Sequence, residues 1–350
     1  MDGNMKQRFV ITGGSGFLGI NLTRKLLREG HDVLSIDRVP FEYPERERVN
    51  FVHKDIRALT EQDLSMQPED IVVHAAAALP RNKKGEIFSV DVGGTKNVID
   101  LANRAGVKRF IHISTTAVYG VPDKDNLVEE DPLIGVGPYG EAKIEAERIV
   151  EAYRDQMIVT VLRPKSFIGP ERLGVFAILY DWALSGTNFP IPGKGDNRYQ
   201  YLDVEDLCDM ILLSSFADRD RANDTFNVGA KEFATFKEDF QSVLDKAGFG
   251  KRVISIPAKP AIWALRVLDR VKLSPLYPWV YETAVKNSFV SIEKAEKILG
   301  FNPKFSNSQS LARNFDWYVR HQSEFLGRSG KTHRVPWSQG VLRIAKLVFR

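Results

Sequence analysis

The 350 residues are 43% hydrophobic and 27% charged, enough apolar material for a large core and too much for a disordered chain. Lys and Arg (49) against Asp and Glu (45) leave a formal charge of only +4, which gives no basic footprint for nucleic acid. The lone cysteine, Cys208 in the apolar stretch LCDMILL, excludes an internal disulfide and a cysteine-rich metal site, and reads as a buried thiol.

The chain enters a strand pattern at RFVIT, with no basic and apolar leader ahead of it, so a secretory route is not expected. No apolar run reaches the roughly 18 residues that a transmembrane helix needs. The expectation is a cytoplasmic protein. From Arg8 to about Val161, short β-branched runs (RFVIT, DVLSID, NFVHKD, DIVVHAA, RFIHIS, MIVTVLR) alternate with amphipathic segments such as NLTRKLLREG and VGGTKNVIDLANRAG. That alternation predicts an α/β fold with a doubly wound parallel sheet. Past Pro164 the regularity weakens, then DVEDLCDMILLSS and TFNVG read as a helix and strand returning to the first domain. The expected division is a dinucleotide-binding domain over 1–165 plus about 201–230, and a smaller discontinuous substrate domain over about 166–200 and 231–328. An amphipathic tail follows over 329–350.

The first chemical motif is the turn TGGSGFLG between the first strand and the first helix. Gly13 permits the tight turn, Gly16 lets the backbone approach a pyrophosphate, and Gly19 allows close helix packing. Phe17 and Leu18 open the helix, whose N-terminal N–H groups attract negative charge. The second strand ends at Asp37, placed to accept hydrogen bonds from both hydroxyls of an adenosine ribose, which favours NAD. Arg38 beside it could pair with the additional phosphate of NADP, so both cofactors stay open. Histidines 74 and 112 fall within buried strand patterns and are read as residues that pack or hydrogen-bond there rather than bind a metal; no cluster has metal-ligand spacing.

The segment STTAVYG follows the fifth strand, at the open end of the sheet where ligands bind, and offers hydroxyls to a reacting oxygen. In YGEAK, Tyr139 and Lys143 are four residues apart on a predicted helix and share a face. The ammonium favours the phenolate, so the pair can exchange a proton with a substrate hydroxyl. At the end of the chain, 336–350 read as a basic, amphipathic helix carrying Arg343, Lys346 and Arg350. It could dock on the protein's own core, on a partner subunit, or on a membrane surface.

Taken in order, TGGSGFLG, Asp37, HAAA, STTAVYG, YGEAK and LRPKSFIGP resemble the extended short-chain dehydrogenase/reductase superfamily, specifically its NAD-dependent epimerase/dehydratase branch, over residues 8 to about 325. The resemblance implies that Tyr139 is the acid/base, that Lys143 also binds the nicotinamide ribose, and that Thr115 assists. It implies further cofactor contacts from Asp55 and Ile56 beside the adenine, Ala75, Ala76 and Ala77 beside the pyrophosphate and ribose, and Pro164 at the nicotinamide. Substrate contacts would come from Thr116, Ser166 and Arg198. A homodimer is implied through the helices VGGTKNVIDLANRAG and YGEAKIEAERIVEAY.

Departures from the family pattern narrow the chemistry. Dehydratases and decarboxylases of this type carry an acid just after the catalytic Ser or Thr, where this chain has Thr116 and Ala117. Ser166 stands where many nucleotide-sugar enzymes have asparagine, and Asp91 also replaces a common asparagine. The leading expectation is a nucleotide-sugar epimerase. The alternatives are a dehydrogenase or reductase of a hydroxysteroid-like, lipid or other secondary alcohol, and a non-catalytic NAD(P)-binding sensor or scaffold.

Overall fold

The computed structural model describes residues 6–80, 82–121, 123–270, 281, 283–325, 336 and 346–350. Its main sheet has seven strands: β1 (Arg8–Thr12), β2 (Asp32–Asp37), β3 (Asn50–His53), β4 (Ile71–His74), β5 (Arg109–Ile113), β6 (Ile158–Pro164) and, after three short strands of other sheets, β10 (Thr225–Val228). Their order is β10-β6-β5-β4-β1-β2-β3 and every pairing is parallel. The chain leaves β1 toward β2 on one side and returns to β4 on the other, so the order reverses between β1 and β4. A crevice opens at the carboxyl ends of strands where such a reversal occurs.

Strand residues alternate between two apolar layers, as the twofold period of a strand requires. Phe9 and Ile11 of β1 pack on Leu22 and Leu26 of helix α1 (Phe17–Arg28) and on Leu207, Met210 and Ile211 of the helix Val204–Phe216. Val10 faces the other way, with Val72, onto Val98, Ile99 and Leu101 of the helix Thr95–Arg104 and Ala142 and Val150 of the helix Gly137–Glu151. Near-continuous burial on both faces follows from covering a parallel sheet with helices on each side. The helix Val204–Phe216 packs on this unit and β10 pairs with β6 at its edge, with Cys208 buried between layers.

A second core gathers around Tyr180 of the helix Phe176–Leu184, Phe240 of Phe236–Ala247, and Leu311 and Phe315 of Asn307–Phe325. Two small parallel pairs belong to this side: β7 (Phe167–Ile168) with β9 (Leu202–Asp203), and β8 (Phe189–Pro192) with β11 (Val253–Ile256).

Most of the amphipathic helix expected over 336–350 lies outside the described residues. Where the end of the chain is described, it lies against the protein's own body. Lys346 pairs with Asp181, the Phe349 carbonyl accepts from the Asn188 N–H at 2.9 Å, and the Phe349 ring is 6.2 Å from Trp182. Among the described residues, no helix is long and apolar enough to cross a membrane.

Candidate active site

A cleft of about 650 Å³ runs along the carboxyl ends of the strands across the β1/β4 reversal. One wall is the turn after β1. Gly13 takes φ +74°, and a Cβ there would stand 2.8 Å from the Ala76 nitrogen. The Gly13 and Gly14 N–H groups donate to the Ile36 carbonyl at 2.8 and 3.1 Å, tying the turn to β2. A Cβ on Gly19 would reach to 2.5 Å from the Gly14 Cα, so only glycine lets α1 seat against the loop. The first turn of α1 has no acidic residue and no capping side chain at Gly16, leaving its N–H groups to an anion.

This cradle fits the pyrophosphate of a dinucleotide. Replacing Gly19 by Ala is expected to cost about 1–3 kcal/mol of overpacking, seen as a roughly 5- to 150-fold loss of NAD affinity in a calorimetric titration. An unchanged affinity would remove the turn from the binding site.

Asp37 stands beside the turn: its carboxylate accepts from the Ser15 N–H at 3.0 Å and the Val39 N–H at 2.9 Å. Arg38 is half exposed and paired with Glu86 at 3.0 Å. Glu86 also pairs with Arg57 at 3.1 Å, and Arg57 in turn holds Asp55 at 2.7 Å. The Arg57 guanidinium hydrogen-bonded to Asp55 keeps that carboxyl below the usual carboxylate range. Between the two halves of the sheet, the His74 ring shares hydrogen bonds with Thr12 Oγ1 at 2.7 Å and Thr95 Oγ1 at 2.9 Å. Burial pushes His74 down to about 3, so it is a neutral structural bridge; His112 stacks on it at 5.5 Å and is likewise depressed by burial. No group of side chains suited to a metal ion occurs among the described residues.

Across the reversal, the turn after β5 brings Thr115 and Thr116 to the cleft, and the helix Gly137–Glu151 brings Tyr139 and Lys143 to the same wall. Thr115 caps the short turn Thr116–Tyr119, its hydroxyl oxygen accepting from the Ala117 N–H at 3.2 Å. Lys143 is buried, and its Nζ donates to the Ile113 carbonyl at 3.1 Å. Burial lowers the basicity of the Lys143 amine, while Asp91 and Glu147 act in the opposite direction. Burial raises the Asp91 carboxyl to about 6 against the opposing Lys143 charge. One Asp91 oxygen accepts from the Ala78 N–H at 2.7 Å, and the other has no hydrogen-bond partner among the described residues. The asparagine-to-aspartate departure noted above thus places a titratable group next to Lys143.

Beneath this wall lies a fully buried polar network. Arg163 Nη2 donates to Glu147 at 2.7 Å, Ser114 Oγ donates to the same carboxylate, and Arg163 Nη1 donates to the Tyr119 hydroxyl at 2.9 Å. Tyr119 in turn donates to Asn227 of β10 at 2.8 Å. The network fastens β5, β6, β10 and the helix carrying Tyr139 into one body.

Gly13, Gly16, Phe17, Leu18, Gly19, Asp37, Arg38, Asp55, Ile56, Ala75, Ala76, Ala77, Pro164, Thr115, Thr116, Tyr139, Lys143 and Ser166 all line the one cleft. Arg198 does not. Its guanidinium donates to the Phe233 carbonyl at 3.2 Å and lies over the rings of Phe233 (4.5 Å) and Phe289 (5.4 Å), a packing contact in place of the expected substrate contact. Sequence reading also passed over Lys165 and Arg172, which line the cleft although both are nearly buried. Neither carries a motif signal of its own, and their burial comes from residues distant in the chain. The carboxylates among the described lining residues are Asp37 and Asp55, both on the β2/β3 side of the reversal and across it from Tyr139.

Residues 9–229 match the NAD dependent epimerase/dehydratase family. An uncharacterized protein of Sinorhizobium fredii is 32% identical over 99% of this chain and 88% of its own length. A 3 beta-hydroxysteroid dehydrogenase/Delta 5-->4-isomerase of Mycobacterium tuberculosis is 28% identical, covering 89% of this chain and 90% of its own. Among solved structures, the Bordetella bronchiseptica enzyme WbmG in complex with NAD and UDP superposes with a TM-score of 0.73 at 25% identity. That likeness covers 91% of this chain and 96% of WbmG.

Proposed function

Because the chain belongs to the NAD dependent epimerase/dehydratase family, we propose that it is an epimerase of a nucleotide-linked sugar, inverting a carbinol carbon through a transient ketone. The observation that carries the reading is the distribution of acids: Tyr139 and Lys143 face the substrate end of the cleft, where no described lining residue is a carboxylate. Elimination of water or loss of CO2 would call for such an acid beside Thr115. Oxidation and re-reduction of one carbinol call only for a hydroxyl-directed acid/base.

NAD, held by the turn after β1, supplies the hydride acceptor and donor. Tyr139 takes the proton from the substrate hydroxyl as the ketone forms and returns it when the alcohol is remade. Thr115 holds the reacting oxygen by hydrogen bonding. Lys143, whose ammonium is buried beside Asp91 and Glu147, favours the phenolate of Tyr139 and binds the nicotinamide ribose. Asp37 receives the adenosine ribose hydroxyls, with Asp55 and Ile56 beside the adenine. Inversion requires the keto sugar to turn within the site before reduction on its other face. The UDP in WbmG supports a uridine nucleotide as the carrier group. Cytoplasmic placement and a homodimer through the helices Thr95–Arg104 and Gly137–Glu151 complete the proposal.

A second reading, dehydrogenation of a hydroxysteroid-like alcohol, is favoured by the Mycobacterium tuberculosis relative and by apolar lining from Leu79, Pro80, Val136 and Phe167. The two separate in one assay. Incubated with UDP-glucose or UDP-glucuronate and no added oxidant, an epimerase accumulates the stereoisomer with no net NADH. A one-way dehydrogenase gives no isomer, and releases NADH only when NAD and its own alcohol are supplied.

A further inference from the structure

Lys165 follows Pro164 at the substrate end of the cleft and is only 5% exposed. Its backbone N–H donates to the Val228 carbonyl at 2.9 Å, its Nζ donates to Ser288 Oγ at 2.7 Å, and the ammonium sits 4.9 Å from the centre of the Tyr199 ring. No carboxylate pairs with it among the described residues. A small side chamber adjoins the cleft, and Thr116 and Lys165 line both spaces.

The other cations of that chamber are answered within the protein: Lys124 by Asp131 at 2.6 Å, and Lys286 by Asp123 at 3.8 Å. Among the described residues of the chamber, Lys165 is the cation that is buried without a countercharge. A cation held in this way is costly unless something pairs with it. A neutral hydroxyl and an aromatic face compensate only in part. Burial accordingly lowers the amine to about 7. Of its three N–H bonds, Ser288 takes one, leaving donors for a ligand in the cleft it borders.

We propose that Lys165 is the specificity-determining residue of the substrate end, pairing with a carboxylate carried by the substrate, so that the substrate class is an acidic sugar of the uronic-acid type. The proposal rests on the nucleotide-sugar reading for the rest of the ligand, and on the position and charge isolation of Lys165 for the carboxylate. Thr116, which lines both spaces, would hydrogen-bond a carboxylate oxygen left over from the ammonium.

The test compares two matched pairs on the full chain supplied with NAD: UDP-glucuronate against UDP-glucose, and 3-hydroxydecanoate against its methyl ester. The expected result is a kcat/KM preference for UDP-glucuronate in the wild type that falls about 30-fold or more in Lys165→Met. Charge-assisted recognition of this kind is lost with the ammonium. Ser288→Ala, which removes the neutral partner and keeps the cation, should retain most of the preference. Lys165→Met should melt no lower than wild type, because it removes an uncompensated buried charge. A purely structural lysine would instead lower the melting temperature and leave the preference in place.

A Lys165-dependent preference confined to the hydroxy acid pair would overturn the nucleotide-sugar reading and leave the carboxylate site standing. Preference for the neutral member, a preference that survives Lys165→Met, or turnover of neither acid would overturn the carboxylate site. Turnover of UDP-glucose in that case would leave the epimerase reading intact.

Discussion

Tyr139→Phe is expected to lower turnover by about 10²–10⁴-fold, the range over which a positioned acid/base contributes, while NAD binding changes little. Tyr139 borders the cleft on the helix Gly137–Glu151, four residues before the buried Lys143 whose Nζ is fixed on the Ile113 carbonyl. Phenylalanine fills the same space and leaves that helix and its contacts in place, so the loss falls on proton transfer. Turnover and equilibrium NAD binding measured side by side separate the two effects. A variant with near wild-type turnover would move the acid/base role to another residue and sink the proposed chemistry. Equal loss of turnover and of NAD binding would make Tyr139 a binding residue.

Glu147→Ala is expected to destabilise the protein by about 3–5 kcal/mol, the cost of removing one partner from a buried ion pair. Glu147 and Arg163 have side chains 1% and 5% exposed and meet at 2.7 Å. Deleting the carboxylate strands the Arg163 guanidinium and the Ser114 hydroxyl in the interior and withdraws a charge that favours the ammonium of Lys143. The urea midpoint should fall, and activity should fall with it even well below that midpoint, because the network holds the helix bearing Tyr139. Replacing both partners by apolar residues should recover part of the stability. A loss under about 1 kcal/mol would show that water reaches this network.

The parts of the fold that could be read in advance are those written locally. Gly13 and Gly19 report a turn that no Cβ fits and Gly16 a close approach to the Gly13 carbonyl, and the period of β1 to β6 reports a sheet covered on both faces. TFNVG reads as a strand after the helix pattern DVEDLCDMILLSS, and Thr225–Val228 pairs in parallel with β6. What escaped is what the chain brings together from afar. The pairing of β8 with β11 joins residues about sixty positions apart over only four residues each, too short for a periodic signal. Arg198 was expected among the substrate contacts, yet Phe233 and Phe289 arrive from elsewhere and take its charge over their rings. Lys165 looked like an ordinary residue in LRPKSFIGP. Its isolation arises only once Tyr199 and Ser288 close over it.

Asp37 and Arg38 show the same limit at the cofactor end. Adjacent in sequence, they point to different cofactors. In the folded protein the Arg38 guanidinium is paired with Glu86, an acid in a helix turn after β4. A carboxylate already on Arg38 opposes an additional phosphate at that point, which supports the proposal that Asp37 receives the adenosine ribose of NAD.

The epimerase reading requires the cleft to hold NAD through both halves of an inversion. Its most direct test is to purify the protein, dialyse it exhaustively, denature it and identify the nucleotide released. About one NAD(H) per chain is the predicted result, because the cofactor must keep the hydride until the ketone has turned. A chain that releases no nucleotide, or releases NADP(H), would contradict it.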